Sequence, residues 1–127
     1  MKIFPTEDQE QEAFINWFRF NYKNHFIFAV PNGGSRNIIE ATKLKKTGLV
    51  AGVPDLIILS ENKEVLFIEM KKQKEGRLSK VQKQIIPKIE SLGFTVLICY
   101  GFKDAAEKVK EYYGNWFIQG RLFRGYG

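Results

Sequence analysis

A chain of 127 residues, with 44% hydrophobic side chains, 11 phenylalanines and 27% charged residues, is ordinary globular material. It is large enough for one domain with its own core, without disulfides or structural zinc. Lysine and arginine outnumber aspartate and glutamate by 20 to 14, a net charge of +6; this excess favours an anionic partner, of which nucleic acid is the commonest. The single histidine, His25, excludes zinc sites built on several histidines and paired-histidine catalysis.

In chain order, Thr6 is a plausible N-cap with Glu7 and Asp8 in the first turn, where the helix dipole favours acids. Phe14, Ile15, Trp17, Phe18 and Tyr22 then recur at helical spacing, so residues 6–23 read as an amphipathic helix. The run H-F-I-F-A-V reads as a short strand stopped by Pro31 and an N-G-G turn. That turn lacks the spacing of a glycine-rich phosphate loop. Residues 37–46 read as a short helix, then 55–60 and 64–71 as two strands joined by a turn at 61–63. The polar stretch K-K-Q-K-E-G-R follows. Ser79 is expected to cap a helix running to Ser91, with Gly93 at its end; Pro87 inside it should remove a backbone hydrogen bond and bend it. A strand over 94–100 carries Cys99 in the apolar run F-T-V-L-I-C-Y, where buried filler is its expected role. A helix over 103–113 precedes an aromatic, basic tail, 114–127, expected as a strand or packing arm, with Arg121 and Arg124 as candidate nucleic-acid contacts.

The order α-β-α-β-β-α-β-α predicts an α/β fold, a mixed sheet with helices packed on its faces. The unit from 64 to 100 should be a crossover between parallel strands. No signal peptide or bilayer-spanning apolar stretch is evident, so the expectation is a cytoplasmic protein.

The chemistry concentrates in V-P-D-L-I-I-L and L-F-I-E-M-K-K. Asp55 opens one strand and Glu69 closes the next, so a hairpin brings them together. Glu69 and Lys71 are two apart and share a face. Two carboxylates and an ammonium at one sheet edge can hold a divalent cation next to a phosphate. A plain structural ion pair fits the same residues equally well, because a buried carboxylate needs a compensating cation. Glu7 and Gln11 lie one turn apart on the first helix, and Glu10 competes for the role of acidic ligand. Gln82 lies where helix residues would face the sheet edge that bears Glu69, but taken alone it reads as a solvated helix residue. Lys43, Lys45, Lys46, Lys72, Lys74, Arg77, Lys80 and Lys83 form either a solvated basic face or, as a group, a surface that tracks phosphates.

The sequence resembles the virus-type replication-repair nuclease (VRR-NUC) family, a branch of the PD-(D/E)xK restriction-endonuclease-like superfamily. The resemblance rests on E-D-Q-E-Q-E-A-F-I-N-W-F, V-P-N-G-G-S-R-N, G-L-V-A-G-V-P-D-L-I-I-L, L-F-I-E-M-K-K, G-R-L-S-K-V-Q and G-F-T-V-L-I-C-Y-G, in that order. It spans roughly residues 7–113 and implies a nuclease domain over 1–113, with 114–127 as part of the same domain or a dimer arm. It implies Asp55 and Glu69 as metal-binding carboxylates, Lys71 as the catalytic lysine, Glu7 as the acid of the first helix, and Gln82 as the glutamine that follows the lysine motif. With the Met70 carbonyl, Asp55 and Glu69 would hold Mg²⁺ or Mn²⁺ through oxygen ligands, Glu7 completing the shell directly or through water. Relatives often carry a histidine three residues before the asparagine of V-P-N; here that position is Ala29, which leaves Asn32 and Arg36 as DNA contacts only. Family members that stand alone resemble phage-type junction resolvases. The implied function is therefore a metal-dependent endodeoxyribonuclease cutting four-way (Holliday) junctions as a homodimer, in a bacterial host cell if phage-encoded. The alternatives are a flap or single-strand nuclease of replication or repair, and a catalytically inactive DNA-binding module.

Overall fold

The computed structural model describes residues 3–31 and 38–124, with side chains over 3–31 and 39–114. Its elements are α1 (Glu7–Asn21), β1 (Phe26–Ala29), α2 (Ile38–Lys46), β2 (Leu56–Leu59), β3 (Val65–Lys71), α3 (Lys80–Ser91), β4 (Thr95–Tyr100) and α4 (Phe102–Arg124). Up to α4 the expected elements hold to within two residues at each end.

Both expected caps form. Thr6 Oγ1 accepts from the Gln9 N–H at 3.1 Å while Gln9 Oε1 accepts from the Thr6 N–H at 2.9 Å, a reciprocal capping box that fixes where α1 begins. Ser79 and Gln82 repeat the arrangement at the start of α3. Pro87 does not break α3, which runs unbroken from Lys80 to Ser91. Pro87 and Lys83 are both exposed, so this turn lies at the surface, where solvent can replace the helical hydrogen bond that Pro87 cannot donate.

The sheet has the order β1-β2-β3-β4. β1 and β2 are antiparallel, as are β2 and β3, with Leu56 opposite Ile68 and Leu59 opposite Val65. β3 and β4 are parallel, as the helical connection between them requires, with Glu69 beside Ile98 and Lys71 beside Tyr100. The sheet is thus mixed and flanked by helices, as expected. Alternation places Leu66, Ile68 and Met70 on one face of β3 and Phe67, Glu69 and Lys71 on the other. The first set, with Leu56, Ile58 and Ile27, packs against Phe14 and Phe18 of α1 and Val109 and Tyr113 of α4, all buried. Each large side chain sealed there contributes about 1.5–3 kcal/mol.

Polar ties hold the lower end of this layer. Tyr113 Oη and Ser60 Oγ share a buried 2.6 Å hydrogen bond, and His25 Nδ1 accepts from the Glu61 N–H at 3.1 Å. Partial burial lowers the imidazole below its ordinary range, which favours the neutral ring that can accept this bond. Cys99 is buried, as expected, and burial pushes its thiol up to about 12.

The C-terminal segment departs from its expected form. Instead of ending at 113 before a strand or arm, α4 continues as helix to Arg124. Gly114 and Gly120 argue against helix locally, but each costs only about 1 kcal/mol. The apolar spacing of Val109, Tyr113, Trp116 and Phe117 carries the helical pattern across Gly114. The side chains of Arg121 and Arg124 lie outside the described set.

Gly101 joins β4 to α4 at φ +91°, where a Cβ would collide with Glu10 Oε2. Its N–H donates to the Lys71 carbonyl at 3.0 Å, tying this turn to the end of β3. Gly101→Ala is expected to lower stability by about 1–3 kcal/mol, read as a lower denaturant midpoint at unchanged slope.

Candidate active site

Antiparallel pairing of β2 with β3 sets the geometry. One register step beyond the Leu56–Ile68 pair, Asp55 Oδ2 accepts a hydrogen bond from the Met70 N–H at 2.9 Å. The entrance of β2 is thereby bound to the exit of β3, and the Asp55 and Glu69 carboxyl groups fall close enough for the charge of each to act on the other. Asp55 also continues the β1 ladder, its carbonyl accepting from the Val30 N–H at 2.8 Å.

Glu69 is 1% exposed although it is a carboxylate. Two donors hold its Oε2: the Gln82 side-chain amide at 2.7 Å and the Lys71 ammonium at 3.3 Å. Its other oxygen, Oε1, is buried with no hydrogen-bond partner among the described residues. Burial, reinforced by the negative charge of Asp55 and opposed by Lys71, pushes the Glu69 carboxyl up to about 7. An anion in this position is short of positive charge even with Lys71 beside it.

Glu7 reaches the same region from the first turn of α1. Burial raises its carboxyl above the ordinary range, the Lys71 and Lys72 charges pull it down, and Asp55 and Asp8 push it up. Glu10, one turn further on, goes elsewhere: it is 6% exposed, and its Oε2 lies over Gly101 at the start of α4, without a hydrogen-bond partner among the described residues. The two acids that the sequence left in competition therefore occupy different surroundings, and Glu7 is the one in the field of Asp55 and Lys71.

Among the described residues no group of three or more histidine, cysteine, aspartate or glutamate side chains converges closely enough to hold a metal ion alone. The donors present still suit one kind of ion. Mg²⁺ and similar hard cations take oxygen ligands, retain several waters, and are commonly held by one or two carboxylates plus substrate phosphate. A buried carboxylate oxygen left without a donor beside a second carboxylate fits that pattern.

The basic residues Lys43, Lys45 and Lys46 of α2, Lys72, Lys74 and Arg77 of the β3–α3 connection, and Lys80 and Lys83 of α3 are all exposed. Three lie within six residues after Lys71, and two sit in the first turns of the helix that carries Gln82. Asn32 and Arg36 lie outside the described residues.

Two features were not read from the sequence. The contact between Gln82 and Glu69 joins a strand end to a helix start, and a lone glutamine there reads as solvated. The signal that could have found it is Ser79-x-x-Gln82, a capping-box spacing that turns a glutamine at this position back toward the helix start. The burial of Glu10 depends on Gly101, far along the chain, and no local signal announces it.

The central hairpin of a mixed sheet on an α/β fold thus brings two carboxylates, Asp55 and Glu69, together with Lys71. The chain belongs to the VRR-NUC domain family, whose pattern it matches over residues 1–103. This is a nuclease family, so DNA is the implied substrate. A solved structure described as a VRR_NUC domain protein is similar at 27% identity and a TM-score of 0.67, over 88% of this chain and 90% of that one. No curated protein matched the chain. Among the described residues, no helix is long and apolar enough to cross a membrane.

Proposed function

We propose that the protein is a Mg²⁺- or Mn²⁺-dependent endodeoxyribonuclease that hydrolyses phosphodiester bonds in branched DNA, acting on four-way junctions as a homodimer. The observation that carries the reading is Glu69: a carboxylate sealed from solvent and in the field of Asp55, with one oxygen held by Gln82 and Lys71 and the other buried without a hydrogen-bond partner among the described residues.

Asp55, Glu69 and the Met70 carbonyl would hold the cation, with Glu7 acting through water. A cation bound there supplies Lewis acidity toward the scissile phosphate and makes water a better nucleophile. Lys71, only 13% exposed and two residues from Glu69 on the same face, orients the attacking water or meets the charge that develops on the phosphate. Lysine suits this task as a compact charge on a flexible stem. Gln82 completes the site. Lys43, Lys45, Lys46, Lys72, Lys74, Arg77, Lys80 and Lys83 follow the backbone of the duplex arms, with Asn32 and Arg36 as further contacts.

Most candidate contacts of this domain are lysines and arginines suited to phosphates, so the shape of the DNA is the better discriminant. A junction has two-fold symmetry, and two symmetric cuts need two active sites, hence two copies. The second reading, a flap or single-strand nuclease, requires only one.

A substrate panel separates the readings. With Mg²⁺ or Mn²⁺, four-way junctions should be cut in preference to flaps and plain duplex, and the protein should scatter as twice its 14.7 kDa chain. Junction affinity should fall about a thousandfold between 50 and 200 mM salt, as expected for six or more phosphate contacts. Preferred cutting of flaps by a monomer would select the second reading. No cutting of any substrate at saturating Mn²⁺ would leave a catalytically inactive DNA-binding module.

A further inference from the structure

We infer that Gln82 is a positioning residue that performs two separable tasks with the two ends of one amide. Its oxygen closes the cap of α3, and its NH₂ group fixes the Glu69 carboxylate in the orientation that leaves Oε1 open to a cation. The inference rests on the metal site proposed above and goes beyond it by saying what holds that site in shape.

The geometry decides which end of the amide faces which partner. The Ser79 N–H is a donor 2.8 Å from Gln82 Oε1, and a backbone N–H can only donate. The oxygen of the amide must therefore face Ser79, so the nitrogen faces Glu69 Oε2, at 2.7 Å. Reciprocally, Ser79 Oγ accepts from the Gln82 N–H at 3.1 Å. Gln82 is 9% exposed, so neither bond competes freely with water.

The base of this amide is held from a third direction. A Cβ on Gly52 would stand 2.7 Å from Val81 Cγ1. The A-G-V-P loop that delivers Asp55 thus rests directly on the first turn of α3, one residue before Gln82. The loop carrying Asp55, the strand carrying Glu69 and the start of α3 meet around one side chain. With Oε2 occupied by Gln82 and Lys71, rotation of the Glu69 carboxylate would break two bonds in order to offer the cation a different oxygen. Outer partners that orient a metal ligand in this way typically change metal affinity 10–100-fold when removed.

Two substitutions divide the tasks. Ser79→Ala removes half of the cap and leaves the amide on Glu69. Gln82→Met keeps the length and bulk of the side chain and removes both functions. Both variants should melt several degrees below the wild type, as loss of a helix cap requires. Manganese titrations followed by electron paramagnetic resonance should then separate them: Ser79→Ala within about threefold of wild type, Gln82→Met weaker by about tenfold or more. Equal Mn²⁺ affinity in the two variants would overturn the inference and leave the metal site standing. Absence of Mn²⁺ binding by the wild type would sink both. A measurement on the unaltered protein guards against misfolding of the variants. The side-chain amide protons of Gln82 should exchange slowly with solvent and become fast-exchanging in Glu69→Ala; fast exchange in the wild type would also overturn the inference.

Discussion

Lys71→Ala is expected to lower DNA cleavage by about 10²–10³-fold, the loss typical when one group that meets developing charge is removed. Junction affinity should change by less than about threefold, because the proposed phosphate contacts fall to the exposed lysines around the site and Arg77. The two measurements, single-turnover cleavage and binding in Ca²⁺ or EDTA, separate a group acting at the reacting phosphate from a simple anchor. If affinity falls in step with cleavage, Lys71 is an anchor. The position of the ammonium supports the first outcome. It lies 3.3 Å from Glu69 Oε2 and is mostly buried, so it is placed for an internal task, not for scanning the backbone of a duplex. Stability is a further readout, since removing Lys71 leaves Glu69 buried with one partner fewer, and such uncompensated charges cost on the order of 3–5 kcal/mol. The pressure on that carboxylate to take up a proton should increase accordingly.

The second large effect concerns Glu69 itself and its response to pH. Its carboxyl rises from the ordinary value of 4.5 to about 7 in the metal-free fold. The native state then binds a proton that the unfolded chain has already released. The associated stabilisation is fully present below about pH 4.5 and is lost as pH rises through about 7. In EDTA the protein should therefore lose stability across this window, by at most about 3 kcal/mol from this group. Divalent cation should oppose the trend, since it binds the deprotonated form, so the rise in melting temperature on adding Mg²⁺ should be larger at pH 8 than at pH 5. Glu69→Gln should flatten the EDTA profile between pH 5 and 8, abolish the Mg²⁺ effect and remove cleavage. A wild-type pH profile in the Glu69→Gln protein would place the titration elsewhere.

The parts of this molecule legible in the sequence are those decided locally. Thr6 and Ser79 each precede a side chain three residues on that completes a capping box, so both helix starts could be read to the residue. The antiparallel pairing of β2 and β3 follows from a short turn between two apolar runs, and that pairing alone brings Asp55 next to Glu69. What could not be read depended on distance or on solvent. Pro87 put the continuity of α3 in question because a missing hydrogen bond is visible in sequence, whereas the exposure of that turn, which lets water replace the bond, is not. α4 outran its expected end because two glycines looked like punctuation, though the helical spacing of the residues around Gly114 continued. Gln82 could be placed in the helix facing the sheet edge of Glu69, and the family resemblance put it in the site, but its own residues could not say whether the amide meets water or the carboxylate. Glu10 is the clearest case: its burial is set by a glycine near the other end of the domain.

The burial of Cys99 has a practical consequence. With its thiol shut inside the sheet layer and held protonated at working pH, Cys99 offers thiol-reactive labels nothing to react with in the native fold. A thiol engineered at an exposed position, such as Lys74 or Lys83, would become the only handle for a fluorophore or spin probe. The path of bound DNA across the protein could then be surveyed by distance measurement, with no need to strip the native cysteine first.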